Sequence, residues 1–189
     1  MKKFFALMSI IPILVLFSYI GTNAQSINEY VVNHSVETWQ PITGTLIVTG
    51  DPDDQLSPQT NIGFDFPFDN SIMTNFRAST NGFIRFNSTY TSAYHNTTNL
   101  YNAICVLSMD ARATSIAYLV QGQPGSRELI VQWNGIKHYS GGATNRGTIQ
   151  LRIYEGGIVK IIYGPGISSL QSPGWVNYFG IYFCAETSG

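Results

Sequence analysis

Charged side chains are scarce in this chain of 189 residues: Asp, Glu, Lys and Arg together make up 11%. The net charge is −1, from ten basic and eleven acidic residues. A sequence without a basic patch offers little to a phosphate backbone, so we expect no nucleic-acid partner. Its surface must instead consist largely of neutral hydrogen-bonding groups, which extracellular β-proteins often display.

Cysteine is also scarce, with only Cys105 and Cys184 in the chain. Both lie in apolar, strand-like segments. In an oxidising compartment they can form a disulfide, which would close a loop of 80 residues and stabilise the fold by about 4.5 kcal/mol in the chain-entropy model. The alternative is two separate buried thiols that pack as small hydrophobes. The sequence leaves both alternatives open.

Signatures of catalysis are missing as well. No Gly-x-Ser-x-Gly nucleophile elbow is present. The three histidines lack mutual metal-ligand spacing: His34, His95 and His138. The carboxylates of Asp110, Glu128 and Glu155 are of the type that glycosidases use in pairs, but the sequence does not set their separation. We therefore predict that the protein is not an enzyme.

The N-terminus has the pattern of a secretory signal peptide. Lys2 and Lys3 precede an apolar run from Phe4 to Ile20, and small residues, Thr22 and Ala24, occupy the positions that a signal peptidase inspects. The alternative is a retained anchor helix, because the run is nearly as long as the roughly 20 residues that span a bilayer. We predict cleavage after Ala24, a secreted or cell-surface protein, and no membrane span thereafter.

Removal of residues 1–24 leaves one predicted domain, residues 25–189. Without Lys2 and Lys3, eight basic residues oppose eleven acidic ones, so the net charge of the mature chain becomes −3. Its length suits a single domain with a proper hydrophobic core.

Apolar residues alternate along Asn61 to Asn87, which indicates β-sheet. Ile62, Phe64 and Phe66 fall on one face of an extended strand, while Gly63 and Asp65 fall on the other. Further on, the Asn-Gly pair at positions 81 and 82 separates two more apolar segments. Asn-Gly tolerates the two positive φ angles of a type I′ turn, so we predict a tight hairpin there.

Similar patterns continue to the C-terminus without helical periodicity. Hairpins are predicted for 115–121 with 128–139 and for 148–154 with 158–163; two early strands are predicted within 29–49, and further strands over 103–109 and 175–185. The fold class is therefore all-β, a two-sheet antiparallel sandwich of jelly-roll type, with a closed barrel as the alternative. The predicted core residues are Ile62, Phe64, Phe66, Phe68, Phe83, Ile104, Val106, Ile130, Trp133, Leu151, Ile153, Ile161 and Ile181.

Several motifs together resemble a known module. They are Trp39-Gln40-Pro41-Ile42-Thr43-Gly44-Thr45, Asp53-Asp54, Ile62-Gly63-Phe64-Asp65-Phe66-Pro67-Phe68, Ala78-Ser79-Thr80-Asn81-Gly82-Phe83-Ile84-Arg85-Phe86, Arg127 with Val131-Gln132-Trp133, Leu151-Arg152-Ile153-Tyr154-Glu155, and Ile161-Ile162-Tyr163-Gly164. Taken together, they are similar to the N-terminal β-sandwich domain of secreted and cell-surface proteins from bacteria that use the type IX secretion system.

The resemblance implies a cell-surface or adhesion module. Members of that group usually continue into further repeats and a C-terminal sorting segment, whereas this sequence ends at Gly189, so we expect a fragment or a stand-alone domain. Members often carry a Trp followed by two aspartates after the strand that matches 103–110. This chain departs from that pattern, with Ser108-Met109-Asp110-Ala111.

An acidic cluster, Asp51, Asp53 and Asp54, is a candidate calcium site, because hard cations prefer several carboxylate and carbonyl oxygens. The glycine and the distal glutamate of a helix-loop-helix calcium site are missing. The alternative is a polar turn whose side chains bond the local backbone. No other cofactor is expected.

Aromatic residues in two predicted loops are candidates for a glycan platform: Tyr90, Tyr94, His95, Tyr101, Trp175 and Tyr178. Aromatic faces cover the apolar side of a sugar ring while polar neighbours bond its hydroxyls. The alternative is that these rings cap the ends of the sandwich core.

The leading functional hypothesis is an exported, non-enzymatic module for adhesion or glycan contact, with an extracellular glycan or a surface protein as partner. Two alternatives stay open: a structural spacer of a larger surface protein, and an accessory or catalytic domain of a polysaccharide-degrading enzyme.

Overall fold

The computed structural model describes residues 26–94, 101–107, 109–141, 146–170 and 182–184. These contain two short 3-10 helices, Ile27–Glu29 and Ile167–Ser169. The strands are β1 Thr45–Thr49, β2 Thr60–Phe68, β3 Ser71–Ser79, β4 Phe83–Phe86, β5 Ala103–Cys105, β6 Ala111–Arg112, β7 Ser115–Gln121, β8 Glu128–His138, β9 Gly147–Tyr154, β10 Val159–Tyr163 and β11 Tyr182–Cys184. No helix among the described residues is long and apolar enough to cross a membrane. The predicted signal peptide lies outside the described residues.

The strands form two antiparallel sheets that pack face to face. The first sheet has the order β1-β7-β8-β9-β10, with β6 paired to the end of β8, and the second has the order β11-β5-β4-β3-β2. A continuous apolar core with contributions from both sheets lies between them. Among the described strands, the chain changes sheet after β1, β5 and β10, and hairpins join most other neighbours. The prediction of an all-β, two-sheet antiparallel sandwich is confirmed.

The hairpin predicted around positions 81 and 82 is present, but the predicted type I′ turn is wrong. Gly82 has a φ of 75°, whereas Asn81 does not have a positive φ. The Gly82 N–H donates to the carbonyl of Ser79 at 3.1 Å, and Ser79 pairs with Phe83. This is the three-residue loop in which a left-handed glycine follows a type I turn. Asn81 keeps an ordinary φ because its side chain bonds inward to other loops.

The type I′ pattern occurs instead between β2 and β3. Asp69 and Asn70 both have a positive φ, 46° and 57°, and they connect the paired residues Phe68 and Ser71. Asp and Asn tolerate this left-handed region better than other residues with a Cβ. The turn orients the Phe-rich strand β2 along the edge of the second sheet.

Residues 30–44, which we name the strap, belong to no helix or strand. Of the two strands predicted within 29–49, only β1 is present, because the strap crosses the outer face of the first sheet instead of pairing along an edge. Glu37 bonds Lys160 of β10. Trp39 then packs against Gly164, where an added Cβ would lie 2.5 Å from the indole ring.

Two buried glutamines attach the strap to the outer face of the first sheet. The Gln150 Nε2 group donates to the carbonyl of Gln40 and to Oε1 of Gln132, both at 2.7 Å. The backbone N–H of Ile42 donates to the same Gln132 oxygen at 3.1 Å. These bonds satisfy polar atoms that the strap removes from water, so the strap seals this face without a β-ladder.

Most predicted core residues are buried. Ile62, Phe64, Phe66, Phe68, Ile104, Val106, Trp133, Leu151 and Ile153 belong to the core between the sheets. Ile130 is buried on the other face of β8, beside Gln132, and Phe83 belongs to a small cluster with Ala103 and Cys105. Ile161 is only partly buried, and Ile181 lies outside the described residues.

The two cysteines lie on neighbouring strands of the second sheet. Cys105 pairs with Tyr182, and Cys184 pairs with Ala103, so the cysteines are two positions apart in register. At such diagonal positions the Cα atoms of two strands are typically about 7–8 Å apart, beyond the roughly 4.4–6.8 Å of ordinary disulfides, so a bridge would require backbone movement. The disulfide stays a prediction.

Candidate functional site

Three carboxylates meet at one end of the sandwich, where β8 finishes. Asp53 and Asp54 come from the loop between β1 and β2, and Asp110 directly precedes β6, which pairs with Lys137 and His138. One oxygen of each carboxylate lies within 4.8 Å of the others. We refer to this part of the molecule as the carboxylate end.

Asp51, the third residue of the predicted calcium site, is not part of this cluster and instead binds an arginine. Both of its carboxylate oxygens accept hydrogen bonds from the Arg146 guanidinium, at 2.7 and 2.8 Å. These bonds lower the pKa of Asp51 below its usual value. Arg112 donates to the Asp51 carbonyl. The structure thus brings together Asp53 and Asp54, but not Asp51, which ties its loop to the first sheet.

Asn81 lies directly beneath the carboxylates. Its Nδ2 group donates to Oδ1 of Asp54 at 2.8 Å and to the carbonyl of Ala93 at 3.1 Å. Its Oδ1 accepts from the backbone N–H of Ala111 at 2.6 Å. One side chain therefore connects three segments that are distant in sequence.

Two exposed tyrosines flank this cluster. Tyr94 is 55% exposed and Tyr139 is 47% exposed. The negative charges of Asp110 and Asp54, with smaller contributions that include Tyr139, raise the pKa of Tyr94 above its ordinary value. Tyr94 directly follows Ala93, whose carbonyl accepts a hydrogen bond from the same Asn81 Nδ2 group that donates to Asp54. The carboxylate end thus presents aromatic rings and anionic oxygens side by side.

The other predicted ligand residues lie elsewhere or are not described. The Tyr90 ring lies 4.5 Å from the guanidinium carbon of Arg85, which is buried on the outer face of the second sheet. Tyr101 is next to Asn102, whose carbonyl accepts from Phe86 at the far end of β4. His95, Trp175 and Tyr178 lie outside the described residues. Of the three that the structure describes, Tyr94 is therefore the one at the carboxylate end.

The opposite end of the sandwich is closed by an ion pair, and we refer to it as the ion-pair end. Nε of Arg127 donates to Glu155 at 3.0 Å, and a second guanidinium nitrogen reaches the other carboxylate oxygen. The N–H groups of Arg127 and Gly125 also donate to Glu155. Together these bonds lower the pKa of Glu155 to about 2. Glu155 and Asp110 thus lie at opposite ends of β8 and form no glycosidase-type pair.

A separate cleft of about 420 Å³ lies between residues 30–37 of the strap and β10. Its walls include apolar side chains such as Val31, Val36 and Ile161, and it shares no lining residue with the carboxylate end. Val31 and Val36 are strongly exposed, at 81% and 102%.

Comparison with protein families gives a match over most of the described fold. The family model described as NIDO related matches residues 29–181. The chain belongs to the NIDO-related family. No curated protein and no solved structure shows a significant match to the chain. Membership in the NIDO-related family identifies an extracellular-type domain.

The NIDO-related match includes every residue of the carboxylate end. Asp53, Asp54 and Tyr94 are predicted as ligand residues from the sequence, whereas Tyr139 and the role of Asn81 are not. Asp110 is predicted from the sequence as a candidate catalytic acid and not as a metal ligand. Tyr139 follows a strand and has no local motif, so only the antiparallel pairing of β6 with β8 could have indicated its position.

Proposed function

We propose that this NIDO-related domain is a non-enzymatic extracellular module that binds glycan at its carboxylate end. The observation that carries the proposal is that the exposed Tyr94 directly follows Ala93, which shares the Asn81 amide with Asp54, so Tyr94 lies beside the cluster of Asp53, Asp54 and Asp110. A tyrosine ring can cover the apolar face of a sugar, and carboxylate oxygens can accept hydrogen bonds from its hydroxyls. The site stands on loops that a rigid sandwich supports, which is the usual arrangement for binding residues.

The same three carboxylates have the donor chemistry for calcium. Hard cations bind oxygen ligands at 2.3–2.6 Å, and the oxygens of Asp53, Asp54 and Asp110 are close enough to share one ion. We include calcium in the proposal as a ligand of these residues. Bound there, it would offset the repulsion among the carboxylates and present a cation to sugar hydroxyls.

A glycan array with three proteins tests the binding surface. The wild-type chain is compared with Tyr94→Ala and with Tyr101→Ala, which removes a similarly exposed ring at the far end of β4. We expect Tyr94→Ala to weaken binding about tenfold, as the loss of one ring contact predicts, while Tyr101→Ala binds normally. Glycan binding that survives Tyr94→Ala unchanged would rule out the proposed surface.

Thermal melting with and without millimolar calcium tests the metal. A ligand that binds only the folded state raises Tm, so we expect a higher Tm for the wild type and no shift for Asp110→Asn. Asp65→Asn, which alters an exposed carboxylate outside the cluster, serves as the control and should keep the shift. An unchanged wild-type Tm would remove calcium from the proposal.

A further inference from the structure

Asn81 is unusually well buried for an amide that reaches a surface site. It is 1% exposed, and its side chain makes three hydrogen bonds, to Asp54, Ala93 and Ala111. Each partner belongs to a segment that supplies one component of the carboxylate end. Asp54 is itself a component, Ala93 precedes Tyr94, and Ala111 follows Asp110.

The hairpin loop that carries Asn81 is held by hydrogen bonds to the core and to two neighbouring loops. The Trp133 indole N–H donates to the Ser79 carbonyl at 2.8 Å, which connects the loop to the core. The Ser79 hydroxyl donates to the Ala93 carbonyl at 2.7 Å. The N–H of Thr80 donates to the Gln55 carbonyl at 2.9 Å. The loop is therefore a rigid base, and Asn81 is the side chain through which this base contacts all three segments.

The chemistry of an amide suits this position. Asp54 and the Ala93 carbonyl both require a donor, whereas the Ala111 N–H requires an acceptor. Asn supplies an NH₂ group and a carbonyl oxygen on one short side chain. Asp has no donor when ionised and would add a fourth carboxylate, and Ala would leave buried polar groups without their partner.

We infer that Asn81 is the positioning residue of the ligand site, holding Asp54, Tyr94 and Asp110 at the separations that binding requires. The inference rests on the proposed function, since it assigns a role within that site. It also makes a claim of its own: without the Asn81 amide, the three segments separate while the sandwich stays folded.

The first test compares Asn81→Ala with Gln150→Ala. Gln150 is also a buried amide with three bonding partners, but it lies under the strap on the outer face of the first sheet. The probe is terbium(III), which replaces calcium and whose luminescence a nearby tyrosine sensitises. We expect Asn81→Ala to weaken terbium binding about tenfold or more, as loss of a residue that orients ligands does. Gln150→Ala should lower Tm but bind terbium as the wild type does.

Equal terbium affinities for Asn81→Ala and the wild type would overturn the inference. Equal losses in both variants would overturn it too, because they would show a general effect of lower stability. If Asn81→Ala does not fold, Asn81→Ser replaces it. That variant adds no charge, and its single short hydroxyl cannot serve Asp54, Ala93 and Ala111 together, so we expect the same weakening.

A second measurement decides the inference even if the wild type binds no terbium, a result that would count against the proposed metal alone. Hydrogen–deuterium exchange reports the Ala111 amide, which Asn81 holds directly. We expect faster exchange at Ala111 in Asn81→Ala, with strands β7 to β9 unchanged. In Gln150→Ala, exchange at Ala111 should match the wild type. Wild-type exchange at Ala111 in Asn81→Ala would refute the positioning role.

Discussion

The two ends of the sandwich use the same kinds of residue in opposite ways. At the ion-pair end, Glu155 accepts hydrogen bonds from the guanidinium and backbone of Arg127 and from Gly125. At the carboxylate end, Asp53 and Asp54 form no ion pair with any described residue. Asp54 is held by the Asn81 amide instead. At the ion-pair end the oxygens of Glu155 accept hydrogen bonds within the fold. At the carboxylate end Asp53 and Asp54 are exposed to solvent.

This difference separates a structural carboxylate from one that is available to a ligand. A carboxylate that accepts several charge-assisted bonds has little capacity left for another partner. A neutral amide can orient a carboxylate without neutralising its charge, which leaves the charge for a cation or a hydroxyl donor. Whether a carboxylate is held by a guanidinium or by an amide therefore predicts which end of the sandwich binds a ligand.

The largest loss of stability is expected from replacing a glycine at each end of the sandwich with alanine. Gly82 has a φ of 75°, and an added Cβ would lie 2.7 Å from Cβ of Leu107; Gly125 has a φ of 89° and nothing within 4 Å. Gly82→Ala combines backbone strain with a steric clash and should lower the free energy of unfolding by about 3 kcal/mol. Gly125→Ala carries the strain alone and should cost about 1 kcal/mol. Denaturant unfolding measures both, and equal losses would contradict the steric clash expected between a Cβ at position 82 and Leu107.

An intermediate loss of stability is expected when acid protonates Glu155 at the ion-pair end. The folded-state pKa of Glu155 is lowered to about 2 from an ordinary value of 4.5. A depressed carboxylate pKa contributes stability above the unfolded-state value and loses it as pH falls through the folded-state value. The Tm of the wild type should therefore fall between about pH 4.5 and pH 2.

The variant Glu155→Gln sharpens this prediction. It should melt at a lower temperature than the wild type at pH 7, and the difference between the two should shrink as pH approaches 2. Asp54→Asn serves as the matched change at the carboxylate end and should leave Tm at pH 7 nearly unchanged. A Tm difference for Glu155→Gln that is constant over the whole pH range would refute the assigned role of the ion pair.

The smallest change in stability is expected from replacing either of two tyrosines, Tyr90 and Tyr94, with alanine. Tyr90 covers the buried guanidinium of Arg85 at 4.5 Å, so Tyr90→Ala should cost about 1 kcal/mol of unfolding free energy through the lost cation–π contact. Tyr94 is 55% exposed, and Tyr94→Ala should change stability by less than about 0.5 kcal/mol. On the glycan array, by contrast, Tyr94→Ala should lose more binding than Tyr90→Ala. A larger stability loss for Tyr94→Ala would indicate a packing role in place of a binding role.

The sequence predicts the strands well because period-two alternation directly reflects which side chains face the core. Strands β7 to β10 occur nearly at their predicted bounds for this reason. The strap was misread, since Val31, Val32 and Trp39 suit a strand, and only the glutamines of β8 and β9 determine that it crosses the sheet face. The turn at Asn81 was misread because a side chain bonded to three distant segments overrode the local preference of Asn-Gly.

The candidate site was only partly predictable. Asp53 and Asp54 are adjacent and form a visible acidic pair. Asp110 and Tyr139 are far from them in sequence, and they join the site only through the pairing of β6 with β8. Such convergence depends on sheet order and register, which a single sequence does not determine.

The strap has a consequence for the order in which the chain can fold. It begins near β10, crosses β9 and β8, and becomes β1 beside β7. The strap therefore precedes in sequence the strands β8, β9 and β10 that form its docking surface. During synthesis from the N- to the C-terminus, it can complete its contacts with the first sheet only after residues up to about Tyr163 have been made.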